Sequence, residues 1–201
     1  MSQATTAKVE AGHLFTFDAV AHIYRLDGVI IPGVSDCLEE AGLKHQWHGF
    51  QEAQWRGLHV HNACELLDYN DLDFNSVHEG WLGYVRAYER FKQDTGFVPE
   101  LIETQMYHPF FRFGGTCDRF GRIDGQRVQI EIKTGGEEDW HRWQTAGYNL
   151  LAGEPWLTAE RHNLYLQEDG TYRLVERTDA SDFPTFLAAV TITHAKRRMQ
   201  R

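Results

Sequence analysis

Cysteine is scarce in this chain: Cys37, Cys64 and Cys117 are the only three in 201 residues, an odd number with no C-x-x-C spacing. That excludes a disulfide framework and a zinc knuckle, and it falls short of the four thiolates an iron–sulfur cluster ordinarily needs. Long apolar runs are missing as well. No stretch approaches the ~20 apolar residues of a membrane-spanning helix, and Met1–Thr6 has neither the basic nor the apolar region of a signal peptide. The expectation is a soluble, cytoplasmic protein in a reducing compartment, with no membrane contact. Positive charge is also in short supply. With 20 Lys and Arg against 29 Asp and Glu the formal net charge is -9, so any nucleic-acid contact would be a local groove and not the whole exterior. No Pro/Gly/Ser-rich linker, repeat or low-complexity segment divides the chain, so a single domain over residues 1–201 is expected.

What is present centres on Gly114 to Gly135. The stretch reads as two short strands joined at a turn around Asp124-Gly125, the second being Val128 to Lys133 with alternating polarity. Glu131 and Lys133 are two apart and leave the same face of the sheet, while Ile130 and Ile132 take the other. Asp118, on the preceding strand, can reach that face. Two carboxylates within ~4 Å would repel by ~4 kcal/mol at an effective dielectric of ~20, so unless one is protonated they imply a cation between them. Asp124 reads as a turn residue beside Gly125, not as a ligand.

Asp118 followed by Glu131-x-Lys133 resembles the PD-(D/E)XK nuclease superfamily, and more narrowly its RecB-like exonuclease branch. The ordered pieces are Gly114-Gly115-Thr116-Cys117-Asp118, Glu131-Ile132-Lys133-Thr134-Gly135 and Gln144-Thr145-Ala146-Gly147-Tyr148. The run His22-x-Tyr24-x-x-Asp27-Gly28 with Ile31-Pro32-Gly33-Val34 looks like the opening of a phage-type group of these nucleases, and the cysteine count separates the chain from cluster-bearing relatives. The resemblance implies an α/β fold: a mixed central β-sheet flanked by helices, the restriction-endonuclease-like core.

Other elements fall around this centre. His13–Phe17, His22–Leu26 and Val29–Ile31 read as small antiparallel strands, and Val34–Ala41 as a short helix ended by Gly42. Gln46 to Leu67 has helical periodicity, and puts His61 and Glu65 on one stripe, four apart. Such a pair is ordinarily a solvated or capping contact. In RecB-like nucleases a helix of this kind brings a Glu and often a His to the metal, so the resemblance places Glu65 and His61 there. Gly80 to Gln93 is a second amphipathic helix whose stripe of Trp81, Tyr84, Val85, Tyr88 and Phe91 is expected in the core. Leu101 to Tyr107 alternates as a strand, and Glu103 on it reads as an exposed strand residue, although the resemblance also allows it as an additional acidic residue near the metal. The segment Gly136–Asp139 is acidic, and Trp140 to Leu151 is a helix with Gln144 and Tyr148 one turn apart. By spacing alone they are a surface Gln and a half-buried Tyr; by resemblance they hold the DNA backbone near the cleavage point. Asn163–Leu166 and Tyr172–Val175 flank a hairpin turn, and the last helix, Phe183 to Arg201, ends in a basic run that suits its dipole or touches phosphate.

The resemblance implies a metal-dependent deoxyribonuclease, an exonuclease acting on DNA single strands or duplex ends in replication, recombination or repair. Mg2+ or Mn2+ would sit among Asp118, Glu131 and the Ile132 carbonyl, with His61 tilting preference toward Mn2+. By resemblance Lys133 would orient or help deprotonate the attacking water, although taken alone a salt bridge with Glu131 or another sheet neighbour is the commoner explanation. Many relatives work with a helicase or a recombination partner. The alternative is a catalytically inactive nucleic-acid-binding or interaction module on the same fold. Eleven histidines bring a zinc hydrolase to mind, but no H-x-x-x-H or H-E-x-x-H pair exists, and His59 and His61 point in different directions.

Overall fold

The computed structural model describes residues 5–10, 12–45 and 51–200. Met1–Ala4, residues 46–50 at the head of the expected long helix, and Arg201 lie outside the described residues. Two sheets are present. The larger is five-stranded, in the order β5 (Val98–His108), β6 (Phe113–Ile123), β7 (Gln126–Lys133), β8 (Glu160–Leu166) and β9 (Tyr172–Glu176). Its pairs are antiparallel except β7 with β8, so the sheet is mixed. A parallel pair needs a crossover, and helix α4 (Trp140–Ala152) supplies it. The β6–β7 hairpin turns at Asp124 and Gly125, at φ 49° and 81°, as a two-residue turn of this hand requires.

Helices cover both faces. On one, α2 (Gln51–Asp68) and α3 (Glu79–Thr95) pack Val60, Cys64, Tyr84, Tyr88 and Phe91 against Ile130, Ile132 and Leu164. The aromatic stripe of α3 is therefore core, and α3 closes at Gly96 in a left-handed cap. On the other face, α4, α1 (Val34–Glu40) and α5 (Asp182–Met199) enclose Phe113, Phe120, Leu151 and Phe186. The mixed α/β sheet flanked by helices is the fold class expected from the sequence.

The smaller sheet is an antiparallel meander of β1 (Thr6–Glu10), β2 (His13–Asp18), β3 (Ile23–Leu26) and β4 (Val29–Ile31). Strand β1 has no counterpart in the sequence reading, because its segment is short and polar. The meander buries Phe15, Phe17, Tyr24, Leu26 and Ile31 against Tyr107 of β5. Met106 and Tyr107 are consecutive and both buried, one toward each core, so the simple alternation expected for this strand fails at its end. Gly114 lets the two sheets meet: a Cβ there would lie 3.0 Å from Tyr24 Cγ. At the far end of the chain, Lys196 and Arg197 bond Glu40 of α1, so these two members of the terminal basic run act within the fold.

Candidate metal centre

The centre forms where the β6–β7 ladder opens. Pairing runs from Ile123–Gln126 to Arg119–Ile130 and stops. The next residue, Asp118, uses its carboxylate in place of a backbone acceptor: Oδ2 takes the Ile132 N–H at 2.7 Å. On the β5 side, the pairs Ile102–Arg119 and Thr104–Cys117 leave Glu103 facing Asp118. Glu103 has φ 42°, a left-handed conformation that costs a non-glycine residue about 1–3 kcal/mol. Its carboxylate is held by Arg119, whose Nη1 donates to Oε1 at 2.8 Å. Arg119 is fully buried, and its Nε donates to Asp68 Oδ2 at 2.6 Å, so one guanidinium fastens β5 to the end of α2.

His61 completes the group from above. Its Nδ1 lies 3.4 Å from Asp118 Oδ1 and 3.7 Å from Glu103 Oε1, and ligand atoms of the three residues fall within 4.8 Å of one another. Burial disfavours the imidazolium, but the charge and hydrogen bond of Asp118, with Glu103, overturn that and push His61 up to about 10. Asp118 also loses solvation, yet His61, Lys133 and Arg119 hold its carboxyl below the usual carboxylate range. Glu131 goes the other way. Burial and the charge of Asp118 raise it, despite the Lys133 ammonium. The two carboxylates thus divide: Asp118 ionises and Glu131 favours its proton.

Lys133 stands beside them on the α4 side. Its Nζ donates to Glu131 Oε1 at 2.9 Å and to Gln144 Oε1 at 2.8 Å. Gln144 Nε2 donates to Tyr148 Oη at 3.3 Å, and both side chains are buried, so Gln144 lacks the surface placement, and Tyr148 the half-burial, that their spacing alone suggested. Gln144 meets Lys133 directly, and Tyr148 is linked to it through Gln144. Glu131 Oε2 is buried and has no hydrogen-bond partner among the described residues.

Two cavities meet at His61. One, of about 540 Å³, runs between α2 and the small sheet, with Phe17 and His22 on one wall and Glu65, Glu103 and Asp118 on the other. The second, of about 320 Å³, is lined by Arg56, Lys133, Thr134 and Trp140. Of the residues singled out from the sequence, His61 and Asp118 belong to the tight group, Glu131, Lys133, Gln144 and Tyr148 adjoin it, and Ile132 contributes its N–H to Asp118. Glu65 lies in the larger cavity but outside the group, and Glu103 takes the place expected of it. Glu103 was expected first as an exposed strand residue and second as an additional acidic residue near the metal; it lines the larger cavity with Gln105, two residues on, and its carboxylate is drawn to His61 and Arg119. Arg119 was missed. An arginine between Cys117-Asp118 and Phe120-Gly121 in an apolar strand was the available signal, since such a charge must find buried partners.

No protein-family model matches the chain, and no curated protein matches it. Among solved structures, SSO0001 shares 17% identity over 81% of this chain and 83% of its own, with a TM-score of 0.37. An alkaline exonuclease, LHK-Exo from Laribacter hongkongensis, shares 18% identity over 84% of this chain and 92% of its own, with a TM-score of 0.32. The same exonuclease in complex with dAMP gives 18%, 85%, 93% and 0.33 respectively. At these identities and scores the likeness carries no argument about activity, which has to come from the residues.

Proposed function

We propose that this protein is a divalent-metal-dependent DNA nuclease of the RecB-like kind, an exonuclease hydrolysing phosphodiester bonds at DNA ends. One observation carries the reading: Asp118, Glu131 and Lys133 adjoin at the opened end of one hairpin, with a buried Glu131 oxygen unpartnered beside the Lys133 ammonium. That donor set suits a hard cation, because its ligand atoms are carboxylate oxygens that a divalent ion could share in place of the His61 and Glu131 protons, and the orphaned oxygen is an unused ligand. Asp118, Glu131, Glu103 and His61 are the residues that would hold Mg2+ or Mn2+, with Glu65 in reach of the same cavity. Bound there, the ion would lower the pKa of a water and draw charge from a phosphoryl oxygen.

The chain's own groups do the rest. Asp118 is ionised and fixed through Oδ2 by the Ile132 N–H, so Oδ1 is already oriented to bind once the His61 proton leaves. His61 and Glu131 must each surrender a proton before they can ligate. Lys133 is a poised donor for the attacking water and for charge gathering on phosphate. Gln144 and Tyr148 are positioning residues, since they set where the Lys133 ammonium sits and touch no solvent-facing surface.

Incubation of the purified protein with end-labelled single- and double-stranded DNA in Mg2+, Mn2+ or EDTA tests the reading. Metal-dependent degradation that disappears in Lys133→Met and Asp118→Asn, both folded by circular dichroism, is the expected result. Binding without cleavage in every metal would make the chain a non-catalytic module.

A further inference from the structure

Trp81 is half-buried and packs against the core between the sheet and helices α2 and α3. His59 lies flat upon it, with ring centroids 4.3 Å apart and planes 10° from parallel. Trp55 continues the stack from one turn earlier on α2, at 5.4 Å and 25°, and is 52% exposed. A lone exposed tryptophan is unremarkable on a protein surface. A row of near-parallel rings rooted in the core, ending in an indole with half its surface in water, presents a flat π-face that packing does not require.

We infer that Trp55, His59 and Trp81 form a stacking platform for an unpaired nucleobase, and that the strand entering the site is single-stranded. The inference rests on the nuclease reading for its substrate and extends it. Three observations select this occupant. Leu58, 57% exposed on the same helix, lines the larger cavity with His61 and Glu65, so the apolar surface runs into the candidate centre. Arg56 lines the second cavity beside Lys133, its Nη2 donating to the Thr134 carbonyl at 3.2 Å and its guanidinium lying over the Tyr84 ring, so two cations border the path of the same strand. Trp55 precedes His61 by six residues, about 9 Å along the helix axis and roughly a third of a turn around it, with Leu58 midway between them. The net charge of -9 leaves little scope for binding through phosphate neutralisation alone. Stacking supplies affinity without it, and a duplex keeps its base faces in its own stack, so the unpaired strand is the one that fits.

The test uses the full chain in EDTA, with anisotropy of fluorescein-labelled oligo(dT) and of a labelled blunt hairpin, for wild type, Trp55→Ala and Trp55→Phe. Trp55→Ala should weaken oligo(dT) binding about tenfold, with Trp55→Phe near wild type and the hairpin unchanged within about twofold. Melting temperatures should stay together, because the ring is half in solvent. No binding of oligo(dT) by the wild type, no loss in Trp55→Ala, or an equal loss on the hairpin overturns the platform. So does a change of oligomeric mass in Trp55→Ala with oligo(dT) binding intact, which would make the stack a contact between two copies. The two readings fail separately. Trp55-dependent single-strand binding without metal-dependent cleavage sinks the nuclease and keeps the platform, while cleavage with Trp55-independent binding does the reverse.

Discussion

Raising the pH of the metal-free protein should destabilise it, and His61 sets the size of the effect. The fold holds this imidazole at about 10 against an ordinary 6.5, because Asp118 and Glu103 outweigh burial. A value raised by folding means that the stabilisation is complete below 6.5 and drains away as the pH climbs through about 10. Each pH unit inside that window removes about 1.4 kcal/mol, so going from pH 7.5 to 9.0 removes about 2 kcal/mol. For a chain of this length that is a fall in Tm of about 4–8 °C. Glu131, also raised, loses stability with rising pH in the same sense; Asp118, lowered, loses its contribution only in acid and leaves this window flat. Thermal melts followed by circular dichroism in EDTA across this range measure the slope, and His61→Gln provides the comparison. The wild type should fall more steeply than His61→Gln. Equal slopes, or a wild-type Tm that rises with pH, would refute the assignment of a shared proton to His61, Asp118 and Glu103. Saturating Mn2+ should flatten or invert the wild-type slope, because the ion and that proton compete for one place.

Glu131→Gln should leave the metal-free protein as stable or raise its Tm, since the fold already prefers the neutral carboxyl, while abolishing the Tm gain on adding Mn2+; paired melts with and without the ion decide it. Arg119→Met should cost about 3–5 kcal/mol in urea denaturation, because Asp68, fully buried, loses one of its two cationic partners and Glu103 loses its anchor. A loss below about 1 kcal/mol would show that Lys92 alone sustains Asp68. Gly147→Ala should destabilise by about 1–3 kcal/mol, since the new Cβ would stand 2.7 Å from Phe186 Cζ where α4 crosses α5.

The elements of the large sheet and its helices could be read from period and punctuation. Asp124-Gly125 announced its hairpin, and the spacing of Tyr84, Tyr88 and Phe91 announced a buried helix face. Three of the four strands of the small sheet were legible, β1 was not, and nothing marked them as a separate layer, because nothing local says that Tyr24 will pack over Gly114, ninety residues on. The site shows the same division. Two-residue spacing put Glu131 and Lys133 on one face, and one helical turn joined Gln144 to Tyr148. What local pattern could not carry was the choice between Glu65 and Glu103. That depends on an arginine reaching from β6 to Glu103 on β5 and Asp68 on α2, a consequence of the assembled fold.

The three thiols have a practical consequence. Cys64 belongs to the layer beneath α2 and α3, while Cys37 and Cys117 belong to the layer beneath α1, α4 and α5. All are buried, and burial raises each thiol's pKa far from the reactive range, so the folded chain should resist alkylation at every one. Each sulfur becomes a tripwire for its own layer. Whichever is first tagged by iodoacetamide in dilute denaturant identifies the side from which the molecule begins to come apart.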